Sequence, residues 1–193
     1  MNGLINRAIQ CFLRDGWGAT AWQDAARAAG APVQGFEPLL DYDPALTGRL
    51  VAAAARRLDR DPSCLLEDLG TYLVSHPSRA GVRRLLRLGG PDYREFLHSL
   101  EDLPSRARLA LPDLVLPNLQ VQAEGAVFRL RFGPGLPGLA AVARGLLRAM
   151  ADDYGALVLL EPGAETGDGG ADLTVRLLDE GFSEGRDFAL GRL

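Results

Sequence analysis

Leu119-Gln120-Val121-Gln122-Ala123-Glu124-Gly125-Ala126-Val127-Phe128-Arg129-Leu130-Arg131-Phe132 is the stretch on which the fold turns. Leu119, Val121 and Ala123 alternate with Gln120, Gln122 and Glu124. Beyond Gly125, the residues Ala126, Phe128, Leu130 and Phe132 alternate with Val127, Arg129 and Arg131. A period of two places alternate side chains on opposite faces of a strand, so the segment reads as a β-hairpin with one wet face. The chain changes period here.

Everything upstream repeats at helical spacing. Leu4, Ile5, Ala8, Ile9 and Phe12 form one apolar stripe, closed by Gly16 and Gly18. A second helix runs from about Ala19 through Trp22 to Gly30-Ala31-Pro32. Asp43-Pro44 then supplies an N-cap with proline in the first turn, ahead of Leu46, Leu50, Val51, Ala54 and Leu58. The device recurs at Asp61-Pro62, before Leu65, Leu66, Leu69, Tyr72 and Leu73, and that helix ends before Pro77. Gly89-Gly90-Pro91 breaks the chain again. Asp92 and Glu95 then have the spacing of a capping box for Tyr93, Phe96, Leu97, Leu100 and Leu103.

Downstream of the hairpin, a helix follows Pro137, with Leu139, Val142, Leu146 and Met150 on one side. Two more strands, Ala156 to Glu161 and Asp172 to Leu178, flank a glycine-rich turn, and residues from Asp179 onward show no period. Helices first, then an antiparallel sheet with one embedded helix, is an α+β arrangement. One domain over 1–178 is expected, with a distal helical part at 1–60, a proximal part carrying the sheet at 61–178, and a tail at 179–193.

Composition narrows the function. The 193 residues are 47% hydrophobic, enough for one domain to bury a core. A net charge of -4 provides no basic field for nucleic acid or an anionic membrane. Asn6 and Arg7 interrupt any export signal, and no apolar run approaches the roughly 20 residues needed to span a bilayer, so a cytoplasmic protein is expected. Cys11 and Cys64 are far apart without paired histidines, and read as two buried thiols rather than a disulfide or a metal site. With no catalytic motif and no carboxylate cluster at metal spacing, an enzyme is not expected.

The order of six or so helices followed by strand, strand, helix, strand, strand resembles the haem nitric oxide/oxygen-binding (H-NOX) sensor family over about residues 1 to 178. The resemblance is carried by Met1-Asn2-Gly3-Leu4-Ile5-Asn6, by Leu65-Leu66-Glu67-Asp68-Leu69-Gly70-Thr71-Tyr72-Leu73, by Asp92-Tyr93-Arg94-Glu95-Phe96-Leu97 with Leu100, and by Pro137-Gly138-Leu139 through Tyr154-Gly155. It implies haem b as cofactor, held by one histidine and by a Tyr-x-Ser-x-Arg motif on the propionates. This sequence departs from both. A gapless match puts the ligand position at Pro104 and the propionate motif at Phe132, Pro134 and Leu136, while the family's haem-face proline is retained as Pro117.

Only His76 and His98 could replace the ligand. At about 100° per residue His98 falls opposite the apolar face of its helix and should meet solvent. His76 shares the stripe of Leu65, Leu69, Tyr72 and Leu73, at a helix end where it can serve the last carbonyls or reach a pocket ligand. Pro104 should interrupt its helix at Leu103-Pro104. The run Arg79, Arg83, Arg84 and Arg87 reads as a solvated helix face, with a docking surface for an acidic partner as the alternative.

Three readings stay open. One is a haem-binding nitric oxide sensor with a non-standard ligand. Another is a haem-free sensor whose pocket takes a different apolar molecule, lined by Ile5, Ile9, Leu73, Val74, His76, Leu139, Val142 and Leu146, the positions that match the family's pocket-facing helices. The last is an interaction module with its cavity filled by side chains. In each, the resemblance implies a partner signalling enzyme in trans, a histidine kinase or an enzyme of cyclic di-GMP turnover.

Overall fold

The computed structural model describes residues 3–112 and 114–188. Helix α1 (Gly3–Ala29) is two helices joined at Gly18, whose φ of 85 and ψ of 172 are non-helical, as the glycine pair suggests. Helices α2 (Pro44–Leu58) and α3 (Pro62–Ser75) open as their Asp-Pro starts predict. Asp43 accepts from the Ala45 N–H at 3.0 Å and Asp61 from the Ser63 N–H at 2.8 Å. A 3-10 turn (Pro77–Arg79) leads into α4 (Ala80–Arg87), and α5 (Tyr93–His98) is capped by Asp92, which accepts from the Glu95 N–H at 2.8 Å.

Pro104 has the expected effect on its helix. The chain tightens into a 3-10 turn at Ser99–Asp102 and restarts as α6 (Leu103–Ala110) with the proline in the first turn, where its missing N–H costs nothing. The sheet follows: β1 (Leu119–Glu124), β2 (Val127–Phe132), then α7 (Leu139–Tyr154), β3 (Leu157–Glu165) and β4 (Ala171–Asp179). The strand order is β1-β2-β4-β3, antiparallel throughout. Both last strands are longer than their apolar runs, because β3 continues past a register shift at Pro162 on the sheet edge, where a missing donor is tolerated.

The hairpin register is the one the alternation requires. Leu119 faces Phe132 and Glu124 faces Val127, so Phe128, Leu130 and Phe132 share the inner face with Leu173, Val175 and Leu177 of β4. That face packs on Leu147 and Met150 of α7 and on Tyr93, Phe96 and Leu97 of α5. A second apolar cluster lies at the helical end, where Trp22, Leu13 and Phe36 pack with Leu50, Leu65 and Leu69. Helices α3 and α7 pack backbone to backbone beside both clusters. A side chain at Gly70 would strike the Val142 carbonyl, and one at Gly145 the Glu67 carbonyl.

Two expectations need correction. Arg83 and Arg87 do not belong to a solvated face: both turn onto Asp153 at the end of α7, because the apolar side of α4 faces inward and tilts them across that helix end. Cys64 is exposed, since it sits in the first turn of α3 away from the core, and Cys11 is half-buried; both are free thiols. Among the described residues no helix is long and apolar enough to cross a membrane.

Candidate functional site

Between the two apolar clusters lies a cavity of about 650 Å³. Its walls come from nearly every helix and from the sheet. Helix α1 contributes Ile5, Ala8 and Ile9; α3 contributes Leu66, Leu69 and Leu73; α7 contributes Leu139, Val142 and Leu146. The sheet adds Leu119, Leu130 and Phe132, and α6 with the loop after it adds Pro104, Ala107, Leu116 and Pro117. Side chains therefore do not fill the space, as the interaction-module reading expected.

Close helix packing sets the shape of this space. Gly70 and Gly145 bring α3 and α7 into backbone contact, which fixes Leu73 beside Val142 and Leu146 along one wall. Gly138, with φ of 81, turns the chain into α7, and its missing side chain leaves room for Leu66. A β-carbon there would be 2.5 Å from Leu66 Cδ1.

Of the residues singled out from the sequence, Ile5, Ile9, Leu73, Leu139, Val142 and Leu146 all lie on this wall. Val74 and His76 do not, and are corrected here. Val74 is one helical step past Leu73 and turns into the core cluster with Phe96 and Met150. His76 lies beyond the end of α3, where the chain has become extended and carries its ring outward. There it stacks on Tyr72 with centroids 4.8 Å apart, shares a hydrogen bond of 2.7 Å between Nδ1 and Ser78 Oγ, and lies 3.9 Å from Asp15. His98 is exposed, as its helical phase requires, with its ring edge-on to Phe128. Pro104 and Pro117, where the resemblance places the haem ligand and the haem-face proline, both line the cavity. Phe132 and Leu136 line it too, whereas Pro134 is exposed outside it.

The sequence reading missed the walls from α2 and α4. Thr47, Gly48 and Val51 face the cavity from α2, and Val82 and Leu85 from α4. A signal exists for α2: Leu46, Leu50, Ala53 and Ala54 already satisfy one buried face, so the extra small and apolar residues at 48, 51 and 52 mark a second one.

The chemistry of the wall is uniform. Among the described residues no charged side chain, histidine, cysteine, methionine or tyrosine lines it, and Thr47 is the only wall residue whose side chain carries a polar atom. The Thr47 hydroxyl donates to Asn6 Oδ1 at 2.6 Å. Nor do the described residues hold any group of three or more His, Cys, Asp or Glu placed to bind a metal ion.

Comparison with known proteins bears on this architecture. A H-NOX protein from S. oneidensis in the Fe(II) ligation state superposes with a TM-score of 0.77 at 16% identity, covering 93% of this chain and 97% of that one. A mutant of the T. tengcongensis H-NOX superposes with a TM-score of 0.75 at 13% identity, covering 93% and 99%. At such identities the likeness establishes the fold. In sequence the chain is similar to soluble guanylate cyclase 89Db of Drosophila melanogaster, 21% identical over 136 residues, which is 69% of this chain and 20% of that protein. It is also similar to soluble guanylate cyclase gcy-31 of Caenorhabditis elegans, 22% identical over 124 residues, 64% of this chain and 18% of that protein. The chain thus spans about a fifth of the length of these curated relatives. The Haem-NO-binding family model matches residues 2–161, and with that match, on this fold and around this cavity, the chain belongs to the Haem-NO-binding family.

Proposed function

We propose that this family member senses without haem, holding an apolar small molecule in the family's pocket and regulating a partner signalling enzyme. The observation that carries the reading is the wall itself. Iron needs a nitrogen, sulfur or oxygen ligand, and the family's ligand position is Pro104. The porphyrin's two carboxylates need cations or donors, and the matching positions are Phe132, Leu136 and the outward Pro134. These residues do not fit haem.

A bound molecule is nevertheless favoured over an empty domain. Apolar side chains around some 650 Å³ of unfilled space lack the dispersion contacts that a packed interior makes. An occupant would restore the lost dispersion contacts. It would touch α1 and α2 at one end and α7 and the sheet at the other, so its affinity can differ between two arrangements of these parts, which is what a sensor needs. The wall offers no nucleophile beside a base, which supports a binding module over an enzyme. A histidine kinase or a cyclic di-GMP enzyme is the partner that the family resemblance suggests.

The test is the visible spectrum of protein purified from haem-supplemented cells. No stoichiometric Soret band is expected, and mass spectrometry of a solvent extract should release an apolar molecule near one equivalent. A full Soret band that shifts with nitric oxide would instead establish the haem sensor with a non-standard ligand. An empty extract would remove the bound molecule from this reading.

A further inference from the structure

We infer that two copies of this chain join through strand β3, each pairing antiparallel with the other so that the two four-stranded sheets become one. The inference does not depend on what the cavity holds. In the order β1-β2-β4-β3, strand β3 lies at an edge, and among the described residues no strand pairs with its outward N–H and C=O groups. Such edges are ordinarily blunted by charged side chains, by proline or by a covering element. The opposite edge follows that rule: β1 carries Gln120, Gln122 and Glu124 and lies beside the 3-10 turn at Ser99–Asp102. Strand β3 has no charge and no proline over Leu157-Val158-Leu159-Leu160; Glu161 and Pro162 come only after them.

A patch of exposed apolar side chains adjoins the same edge. Leu157 and Leu159 are 37% and 46% exposed, and Leu178 and Phe182 are each 61% exposed. Leu178 is the extra residue of the bulge opposite Leu157 and Val158. Phe182 precedes Ser183, whose N–H donates to the Gly155 carbonyl just before β3 begins. The chain then leaves this corner, since the Arg186 N–H reaches the Asp153 carbonyl and Phe188 lies against Arg87. Large apolar groups gathered on one surface mark an interface, whereas scattered ones do not.

The occupant that fits this edge is a second copy. Val158 and Leu160 pair with Leu177 and Val175 and pack on the core, so Leu159 lies on the outer face beside Arg176. For both cores to lie on one side of a joined sheet, residues of the same face must stand opposite one another. A twofold axis at Leu159 satisfies this requirement. Leu159 then meets Leu159 of the other chain, Val158 meets Leu160, and Leu157 meets Glu161. The half-buried Val158 and Leu160 cover each other, and apolar cross-strand pairs of this kind are what stabilise a sheet. No like charges are brought together: Glu161, the one ionisable side chain in this stretch, stands opposite a leucine and is held by Arg176 of its own chain at 2.6 Å. A foreign strand would need a matching apolar run, which a second copy supplies by symmetry.

Sedimentation equilibrium of the full chain, from about 1 to about 200 µM, reads the assembly directly. The mass is expected to rise from that of one chain, 20.7 kDa, to twice that value. A single-chain mass at every concentration would overturn the inference. Leu159→Lys sets two ammonium groups opposite each other at the axis, on a side chain exposed enough for the fold to be kept, which circular dichroism checks. It should weaken the dimer at least about tenfold, and an unweakened dimer would rule out β3 as the interface. Register is read by cysteine cross-linking in a Cys64→Ser background, which removes the exposed native thiol. With copper phenanthroline as oxidant, Leu159→Cys should cross-link at least about fivefold faster than Leu157→Cys, because only position 159 stands opposite itself within disulfide reach. Equal rates would exclude the axis at Leu159, and this comparison decides the case even where the lysine variant does not fold.

Discussion

Arg83 donates through Nε to Asp153 Oδ1 at 2.6 Å, and Asp153 is only 1% exposed. Arg87 adds an ion pair at 3.6 Å to the other carboxylate oxygen, too long for a hydrogen bond, with its guanidinium stacked 4.0 Å over the Tyr154 ring. The chain beyond the sheet is tied to the same point. Arg83 also donates to the Asp187 carbonyl, and the Arg186 N–H donates to the Asp153 carbonyl. One buried carboxylate therefore joins α4, α7 and the segment after β4. Asp153→Ala would leave two arginines half-buried without a counter-charge, and such losses cost about 3–5 kcal/mol in buried pairs. The expected outcome is a loss near about 3 kcal/mol, since Arg83 keeps some solvent, with the segment after β4 newly open to protease. Urea denaturation and limited proteolysis measure the two effects, and Arg83→Ala should do less of each.

Gly145 and Gly16 predict opposite responses to the same change. Helix propensity alone favours alanine over glycine by about 1 kcal/mol. At Gly16 nothing lies within 4 Å of the added carbon, so Gly16→Ala should stabilise by about 0.5–1 kcal/mol. At Gly145 the added carbon lands on the Glu67 backbone of α3, which has no rotamer with which to yield. Overpacking costs about 1–3 kcal/mol and wins here. Gly145→Ala should therefore destabilise by about 2 kcal/mol in chemical denaturation, and should distort the wall shared by Leu73 and Val142. A stabilised Gly145→Ala protein would mean that the two helices are not in backbone contact.

Tyr93 fixes an alkaline limit to stability. Its ring is buried and its hydroxyl donates to the Leu147 carbonyl at 3.0 Å, so burial pushes the phenol far above its ordinary value near 10. The folded state keeps this proton where the unfolded chain releases it. The contribution is thus fully present below about pH 10 and is lost as pH rises beyond it. Tyr93→Phe should cost about 1 kcal/mol at neutral pH through the lost hydrogen bond. It should also flatten the decline above pH 10 seen in denaturation at a series of pH values. Tyr72 and Tyr154 shift in the same direction, mainly through burial, so the decline is reduced and not abolished.

What could be read in advance follows from how local each determinant is. The caps at Asp43, Asp61 and Asp92 act within three residues, and the hairpin register follows from strict alternation around Gly125, so these were legible. The wall of the cavity is less local. Ile5, Ile9 and Val142 could be placed because each has one helical phase and the family resemblance names the face. Leu73 and Val74 are neighbours in sequence, yet a single step of about 100° sends them to different sides of α3. Arg83 and Arg87 looked solvated because Asp153, their partner, is some seventy residues away, and charge on a helix gives no sign of what tertiary packing sets opposite it. Asn6 and Thr47 likewise come together only when α1 meets α2.

The four positions at which the family resemblance places the partners of haem make a reciprocal prediction. Pro104 stands in the first turn of α6 and faces the cavity, so a histidine there would place an imidazole on the wall without disturbing a backbone hydrogen bond. Phe132 and Leu136 face the same space from the end of β2 and the loop beyond it, while Pro134 lies between them outside it. Pro104→His alone would supply an iron ligand but leave two carboxylates facing apolar side chains, and should give weak, substoichiometric haem retention. Adding Phe132→Tyr, Pro134→Ser and Leu136→Arg would provide hydroxyl donors and a guanidinium for those carboxylates. The combined variant, expressed with haem supplementation, is expected to show a Soret band several-fold stronger than Pro104→His, against none in the parent. Melting followed by circular dichroism would establish that each variant is folded. A folded combined variant without haem would mean that the cavity excludes a porphyrin by shape and not by the missing partners; a full band in the parent chain would remove the haem-free reading altogether.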